Sequence, residues 1–194
     1  MKPSLDWQHD IDAIVVGASA GGVTALRELL GALPADFQPP MLIVLHLPRH
    51  RPSTIAEVLG AYCALPVYEA CDKQRIERGS VMFAPPDYHM LVEDEASVAL
   101  SLDEPVLFSR PAIDPLFSSA AAVFSNRLLA ILLTGASTDG SNGLAAVRRA
   151  GGTAWVQAPE DATASMMPAA ALAYAGAEAV LTLEEICQRM RNRA

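Results

Sequence analysis

Cysteine is scarce in this 194-residue sequence, and its placement argues against a disulfide framework. The three cysteines, Cys63, Cys71 and Cys187, are odd in number and form no CxxC pair. Disulfide-rich small domains use even sets of cysteines, and structural zinc sites use closely spaced pairs. We therefore expect reduced thiols, as in a cytoplasmic protein, and no zinc held by cysteine.

Positive charge is also in short supply, with 14 Lys and Arg against 22 Asp and Glu and a formal net charge of −8. Proteins bind nucleic acids with clustered Lys and Arg side chains that neutralise phosphates. The acidic balance therefore predicts that nucleic acid is not a partner.

Long apolar runs are missing as well. A membrane-spanning helix needs ~20 consecutive apolar residues, and the polar residues 125–127 interrupt the longest candidate. The N-terminus is polar and acidic, whereas a signal peptide begins with basic residues followed by an apolar stretch. These absences predict a cytoplasmic protein without membrane insertion, with a polar N-terminal extension over 1–10 and a single domain over 11–194.

What is present is an alternation of short apolar runs with alanine-rich stretches, in a sequence that is 52% hydrophobic and 19% charged. This alternation is typical of a doubly wound α/β fold, in which a mainly parallel sheet carries helices on both faces. Strands are predicted at 13–17, 41–47, 128–134, 153–157 and 179–182. Helices are predicted at 23–31, 53–62, 114–124, 142–150, 168–175 and 183–193.

The middle of the chain has a different pattern. Between residues 66 and 105, the segments PVYEA, SVMFAPP, HMLVED and SVALSLDE are short, interrupted by polar residues and separated by turn residues. Such segments favour antiparallel pairing through tight turns. The sequence therefore predicts an antiparallel hairpin or meander over 66–105, inserted into the α/β frame.

The segment GASAGG, residues 17–22, lies between the first predicted strand and the first predicted helix. A dinucleotide-binding turn requires GxGxxG and an acidic residue about 20 positions later, but Ser19 replaces the middle glycine and the second strand ends in His46. The nucleophile elbow GxSxG instead matches residues 17–21 letter for letter. A serine held there would have the amide of Ala20 beside a developing oxyanion. The alternative is that Ser19 is a plain turn residue or helix cap.

A serine nucleophile needs a base, and the base needs a group that orients it. His46 follows the second predicted strand, and Asp139 follows the strand predicted at 128–134. The carboxyl ends of parallel strands share one edge, so both side chains are expected beside Ser19. Alternatives stay open, with His46 as a structural residue, Asp139 as a helix cap and His89 as a weaker candidate base.

One pair of histidines has the spacing of metal ligands. His46 and His50 are four positions apart, but Pro48 lies between them and argues against the regular helix that would bring both to one face. No metal site and no cofactor are therefore expected.

These residues resemble the catalytic domain of the chemotaxis protein-glutamate methylesterases, the CheB family. The resemblance runs over about 11–190 and rests on four blocks, with RPAIDPLFSSAA from Arg110 as a weaker fifth. The four blocks are VVGASAGG around Ser19, VLHLPR around His46, VMFAPPDYHM over 81–90 and LTGASTDGSNG around Asp139.

The resemblance implies a doubly wound α/β domain with an antiparallel hairpin. In it Ser19 would be the nucleophile, His46 the general base and then acid, and Asp139 the orienting carboxylate. The implied reaction is hydrolysis of glutamate methyl esters on cytoplasmic helices of chemoreceptors, which releases methanol, with deamidation of receptor glutamines as a related activity. Backbone amides near Ala20 and Ala136 would bind the oxyanion.

Further side chains are candidates for binding the substrate. Arg49 and Arg110, together with Arg51, are candidates for holding neighbouring carboxylates of the receptor, and His89 lies in one of the shared blocks. They complete the set of candidate site residues predicted from the sequence.

The sequence also departs from the family. Ala20 and Ala136 stand where family members often have threonine and methionine, and the first predicted strand follows almost directly on the start of the chain, where regulated members carry a receiver domain. We therefore expect either a stand-alone esterase domain or one trimmed of its receiver domain, with a receiver-domain protein in trans as a candidate partner. Two other hypotheses stay open, a catalytically weak signalling adaptor and a nucleotide-binding protein of the same architecture.

Overall fold

The computed structural model describes residues 11–47 and 53–192. Their strands are Ala13–Ala18 (β1), Met41–Leu45 (β2), Val67–Glu69 (β3), Val81–Phe83 (β4), His89–Asp94 (β5), Ser97–Ser101 (β6), Leu128–Leu132 (β7), Thr153–Gln157 (β8) and Ala179–Leu181 (β9). Their α-helices are Gly22–Gly31 (α1), Ile55–Gly60 (α2), Ile113–Phe124 (α3), Ser141–Arg149 (α4), Met166–Tyr174 (α5) and Leu183–Arg191 (α6). A short 3-10 helix, Ser125–Arg127, joins α3 to β7.

Seven strands form one parallel sheet in the order β3-β4-β2-β1-β7-β8-β9. Strand β1 lies at the centre, paired with β2 on one side and with β7 on the other. The chain leaves β1 towards β2 and leaves β7 towards β8, so the loops after β1 and β7 diverge at the carboxyl edge of the sheet. Open α/β sheets bind ligands at such a switch point.

The central strands are apolar along their whole length because helices cover both faces of the sheet. Strands β1, β2 and β7 are buried at every position, as expected for a parallel sheet between two helical layers. Helices α1 and α6 pack on one face through Leu29 and Ile186, and α2 joins them. Helices α3 and α4 pack on the other face through Phe117 and Leu144, together with α5. The predicted doubly wound α/β fold is confirmed.

The antiparallel part is smaller than the sequence predicted. Strands β5 and β6 form a hairpin over 89–101, and the hairpin is held to α3 by a hydrogen bond from the Val92 amide to Ser119 Oγ (3.0 Å). Strands β3 and β4 lie in the same predicted segment, but they pair in parallel with each other and join the main sheet beside β2. The predicted hairpin is therefore confirmed, whereas antiparallel pairing of its first two segments was wrong.

Two predicted strands end earlier than expected, and both ends matter for the site. Strand β2 ends at Leu45 and β7 ends at Leu132. His46 and Thr134 consequently lie in loops at the carboxyl edge of the sheet, where side chains are free of the alternation that a strand imposes.

Two other features are the thiols and the apolar character of the helices. Cys63, Cys71 and Cys187 are all free thiols, and burial raises the pKa of Cys187 to about 11. Within the described ranges, 11–47 and 53–192, no helix has the length and apolar character needed to cross a bilayer.

Candidate active site

Three loops meet at the carboxyl edge around the switch point. Ser19 follows β1, His46 follows β2, and the loop 133–140 follows β7. Backbone hydrogen bonds join them, since the Ser19 amide donates to the Thr134 carbonyl (3.0 Å) and the His46 amide donates to the Ala18 carbonyl (3.0 Å). The strand ends therefore bring Ser19 between the loops that carry His46 and Asp139.

The turn at Ser19 depends on a glycine. Gly21 caps α1 with φ of 78°, which is a left-handed conformation that glycine adopts without steric cost. A Cβ at this position would also lie 2.7 Å from Thr163 Cβ. The glycines of GASAGG are therefore needed for the sharp passage from β1 into α1, and this passage leaves Ser19 half-buried at the rim.

His46 and Asp139 form a direct pair. His46 Nε2 lies 2.8 Å from Asp139 Oδ2, with 12% of the His46 side chain and none of the Asp139 side chain exposed. This distance is that of a strong charge-assisted hydrogen bond. Because the carboxylate can only accept, Nε2 carries the proton and the lone pair of the neutral ring is at Nδ1.

Asp139 is held by backbone amides at the start of α3. Its Oδ2 accepts from the Ile113 amide (2.6 Å), and its Oδ1 accepts from the amides of Asp114 (3.0 Å) and Gly140 (2.8 Å). The first turn of a helix has unpaired N–H groups and a positive dipole end, both of which favour an anion. The arrangement fixes the carboxylate in one orientation towards His46.

A second buried carboxyl group lies next to this one. Asp114 is 8% exposed, and its carboxylate accepts hydrogen bonds from the Gly143 amide (2.7 Å) and Asn142 Nδ2 (3.1 Å) at the start of α4. Burial raises the pKa of Asp114, the bond from Gly143 opposes that change, and the charge of Asp139 adds to it. Asp114 therefore joins the starts of α3 and α4 around Asp139.

The free nitrogen of His46 faces a second serine. The Ser109 hydroxyl lies 3.5 Å from His46 Nδ1, which is at the long limit for a hydrogen bond. Among the described residues, no hydrogen bond joins Ser19 Oγ to His46. Within 11–47 and 53–192, the nitrogen that could accept a proton from Ser19 has only this long contact with Ser109.

Two backbone amides are available to bind an oxyanion. Within 11–47 and 53–192, no acceptor is bonded to the amides of Ala20 and Ala136, and both residues are exposed. The loop of Ala136 is pressed against the turn of Ser19, because a Cβ on Gly135 would lie 3.0 Å from Ser19 Cβ. Both predicted amides therefore belong to segments that border Ser19.

Thr134 is a site residue that the sequence did not single out. It is 1% exposed, and its Oγ1 donates to the Ala20 carbonyl (2.8 Å) and accepts from the Ala164 amide (2.9 Å). Its own amide donates to Gln157 Oε1 (2.9 Å). One hydroxyl thus joins the loops after β1, β7 and β8, and the available signal was a lone polar residue directly after an apolar strand.

Of the predicted substrate-binding residues, His89 and Arg110 both bind backbone groups near the loop before α3. His89 is 2% exposed, with Nδ1 accepting from the Ala112 amide (3.2 Å) and Nε2 near the Glu104 carbonyl (3.1 Å). The buried His89 ring thus supports the loop before α3, and its role as an alternative base or substrate contact stays a prediction. Arg110 Nη1 donates to the Leu102 and Asp103 carbonyls (2.8 and 3.0 Å), and Arg49 lies outside the described residues.

Among the described residues, no group of three or more His, Cys, Asp or Glu side chains could hold a metal ion. His50, the other histidine of the pair considered from the sequence, lies outside those residues.

Comparison with known proteins matches the chain to one family. The family model described as CheB methylesterase matches residues 14–190. A Leptospira interrogans relative, named for protein-glutamate methylesterase/protein-glutamine glutaminase activity, is 39% identical over 91% of this chain and 92% of its own length. A Caulobacter vibrioides relative, named protein-glutamate methylesterase/protein-glutamine glutaminase 2, is 38% identical over 99% of this chain but only 56% of its own length.

A solved structure gives the same result for the fold. The catalytic domain of the Thermotoga maritima CheB methylesterase superposes with a TM-score of 0.89 and 27% identity, covering 95% of this chain and 99% of that one. The family match, the relatives and the shared fold together show that this chain belongs to the CheB methylesterase family, whose members are carboxylic ester hydrolases.

Proposed function

We propose that this protein hydrolyses glutamate methyl esters on the cytoplasmic helices of chemoreceptors, with Ser19, His46 and Asp139 as its catalytic triad. The observation that carries the proposal is the 2.8 Å pair between His46 Nε2 and the fully buried Asp139 carboxylate, beside the turn of Ser19. A serine that is only a turn residue needs no histidine paired with a buried carboxylate beside it, whereas a serine nucleophile needs such a base.

The reaction starts with proton transfer to His46 Nδ1. Ser19 Oγ competes with the long contact from Ser109, gives its proton to Nδ1 and attacks the ester carbonyl of the substrate. The amides of Ala20 and Ala136 donate to the resulting oxyanion, and the Asp139 carboxylate stabilises the imidazolium. The C–O bond to the methoxy group then breaks, and methanol leaves with the proton from Nδ1.

The second half returns the enzyme to its starting state. A water molecule gives a proton to Nδ1 and adds to the glutamyl-Ser19 ester, and Ser19 leaves with that proton as the free glutamate forms. A receptor glutamine follows the same route with ammonia as the leaving group, in keeping with the glutaminase activity in the names of the relatives. We include this deamidation in the proposal, with a receiver-domain protein in trans as the partner for regulation.

The test is methanol release from a methylated receptor fragment. Ser19→Ala is expected to lower turnover by on the order of 10⁶-fold, and His46→Gln should have a similar effect. The matched control is Ser118→Ala, which removes the hydroxyl of an exposed serine on α3. Equal turnover in Ser19→Ala and Ser118→Ala would contradict the triad.

A fluorophosphonate probe separates an esterase from a catalytically weak adaptor. The probe reacts with activated serines, so labelling at Ser19 in the wild type and none in His46→Gln is the expected result. A wild-type protein that binds the receptor fragment but neither labels nor releases methanol would favour the adaptor.

A further inference from the structure

An unusual turn lies beside the catalytic base. Residues 106–109, named here the docking turn, are closed by two reciprocal hydrogen bonds between Val106 and Ser109 (3.1 and 2.8 Å). The two residues between them, Leu107 and Phe108, both have left-handed backbones, with φ of 47° and 66°. A turn of this type normally uses Asn and Gly, which adopt positive φ with little strain.

The docking turn exposes apolar side chains instead of burying them. Phe108 is 96% exposed and Leu107 is 49% exposed. Phenylalanine in this position neither packs in the core nor relieves the backbone, so it does not serve the stability of the fold. Strained residues that persist without a structural benefit point to a function, and exposed apolar clusters mark interaction sites.

The base of the docking turn is rigid. Arg110 Nη1 donates to the carbonyls of Leu102 and Asp103 (2.8 and 3.0 Å), which holds the preceding segment. The buried His89 binds the Glu104 carbonyl and the Ala112 amide on either side of the turn. The turn that carries Phe108 is therefore anchored on both sides.

That position is at the mouth of the catalytic site. Ser109 lies 3.5 Å from His46 Nδ1 through its hydroxyl, and adjacent Cα atoms are only about 3.8 Å apart. Phe108 is thus the residue directly before Ser109, which contacts the base. The docking turn therefore borders the base that Ser19 would use, and Phe108 is its most exposed side chain.

We infer that Leu107 and Phe108 bind apolar side chains of the substrate helix, about one helical turn from the esterified glutamate. Side chains extend only roughly 3–4 Å beyond the Cα cylinder of a helix, so an ester that reaches Ser19 brings the helix surface to the rim of the site. Residues three or four positions from the glutamate lie on that same face, where they meet the docking turn.

The occupant is a substrate helix and not a second copy of this chain. A second copy seated on Phe108 would cover the mouth beside His46 and block the reaction that the site supports. The inference rests on the proposed function, since it names the part of the enzyme that recognises the receptor.

The experiment compares a large and a small substrate on the same variants. Phe108→Ala is expected to lower kcat/KM for the methylated receptor fragment, mainly by raising KM. This fall should be at least tenfold larger than any fall in the rate at which the same variant is labelled by a fluorophosphonate. Phe108→Tyr keeps the aromatic surface and should stay within twofold of wild type. The matched control is Tyr174→Ala, which removes an aromatic ring that is 66% exposed at the end of α5, on the opposite edge of the sheet.

Each result has a distinct meaning. A Phe108→Ala variant with wild-type kcat/KM for the receptor fragment would overturn the docking inference alone. An equal fall in labelling and in methanol release would also overturn it, because the residue would then act on the catalytic centre and not on docking. Wild-type protein that labels at Ser19 but releases no methanol would overturn the proposed function, and the docking inference with it.

Discussion

The Thr134 hydroxyl is expected to control both stability and the position of Ser19. Thr134→Val replaces the hydroxyl with a methyl group of similar size, so the packing around it is retained. The Ala20 carbonyl and the Ala164 amide, bonded to Oγ1 at 2.8 and 2.9 Å, would both lose their partner. Thr134→Ser is the matched control, because it keeps the hydroxyl and loses only the methyl group.

The magnitude follows from these two bonds. A buried polar group left without a partner costs about 1–3 kcal/mol, and water can reach the Ala20 carbonyl more easily because Ala20 is exposed. Thr134→Val is therefore expected to lower the free energy of unfolding by about 2–4 kcal/mol. Thr134→Ser should cost about 1 kcal/mol for the lost methyl group.

Catalysis should fall as well, because Ala20 follows Ser19 directly and supplies a proposed oxyanion amide. A displacement of catalytic groups by 1 Å can cost about 100-fold in rate. We expect labelling of Ser19 by a fluorophosphonate to slow at least tenfold in Thr134→Val and to recover in Thr134→Ser. Urea unfolding and labelling kinetics measure the two effects, and a Thr134→Val protein that matches Thr134→Ser in both would refute the reasoning.

Two further predictions concern the buried carboxyl groups. Asp139→Asn keeps the shape of the side chain but places an NH₂ group against backbone donors or against His46. Labelling of Ser19 should therefore fall by on the order of 10⁴-fold. Labelling at the wild-type rate would contradict the role of the His46–Asp139 pair. Burial raises the pKa of Asp114 above 3.8, so the folded state holds this proton more tightly than the unfolded state. The free energy of unfolding should therefore decrease as pH rises from about 3.8 through the raised pKa, and then level off. Urea unfolding across that window should show a shallower decrease in Asp114→Asn, and identical slopes in the two proteins would show that Asp114 does not titrate in this way.

The main sheet could be predicted because its pattern is local. Strands β1, β2 and β7 are continuous apolar runs, and a strand buried on both faces needs apolar side chains at every position. The glycines of GASAGG likewise mark a sharp turn by their own conformational freedom. Strands β3 and β4 were assigned to the wrong kind of pairing, because a strand of three residues carries too short a pattern to indicate its direction.

The polar interior of the site could be predicted only in part. Ser19, His46 and Asp139 follow apolar strands whose carboxyl ends must share an edge, so their common location followed from the fold class. His89 was a reasonable candidate by residue type, but its burial beneath the loop before α3 depends on where the hairpin packs. Thr134 and Ser109 carry no motif of their own.

By itself the sequence determined the doubly wound architecture, the turn at Ser19 and the delivery of His46 and Asp139 to the same rim. Only the tertiary structure decided that His46 presents Nδ1 as its free nitrogen, that the start of α3 holds Asp139, and that Thr134 ties three loops together. The physical reason is distance along the chain. His46 and Asp139 are 93 positions apart and Thr134 and Ala20 are 114 apart, so these hydrogen bonds exist only once the sheet has brought the loops to one edge.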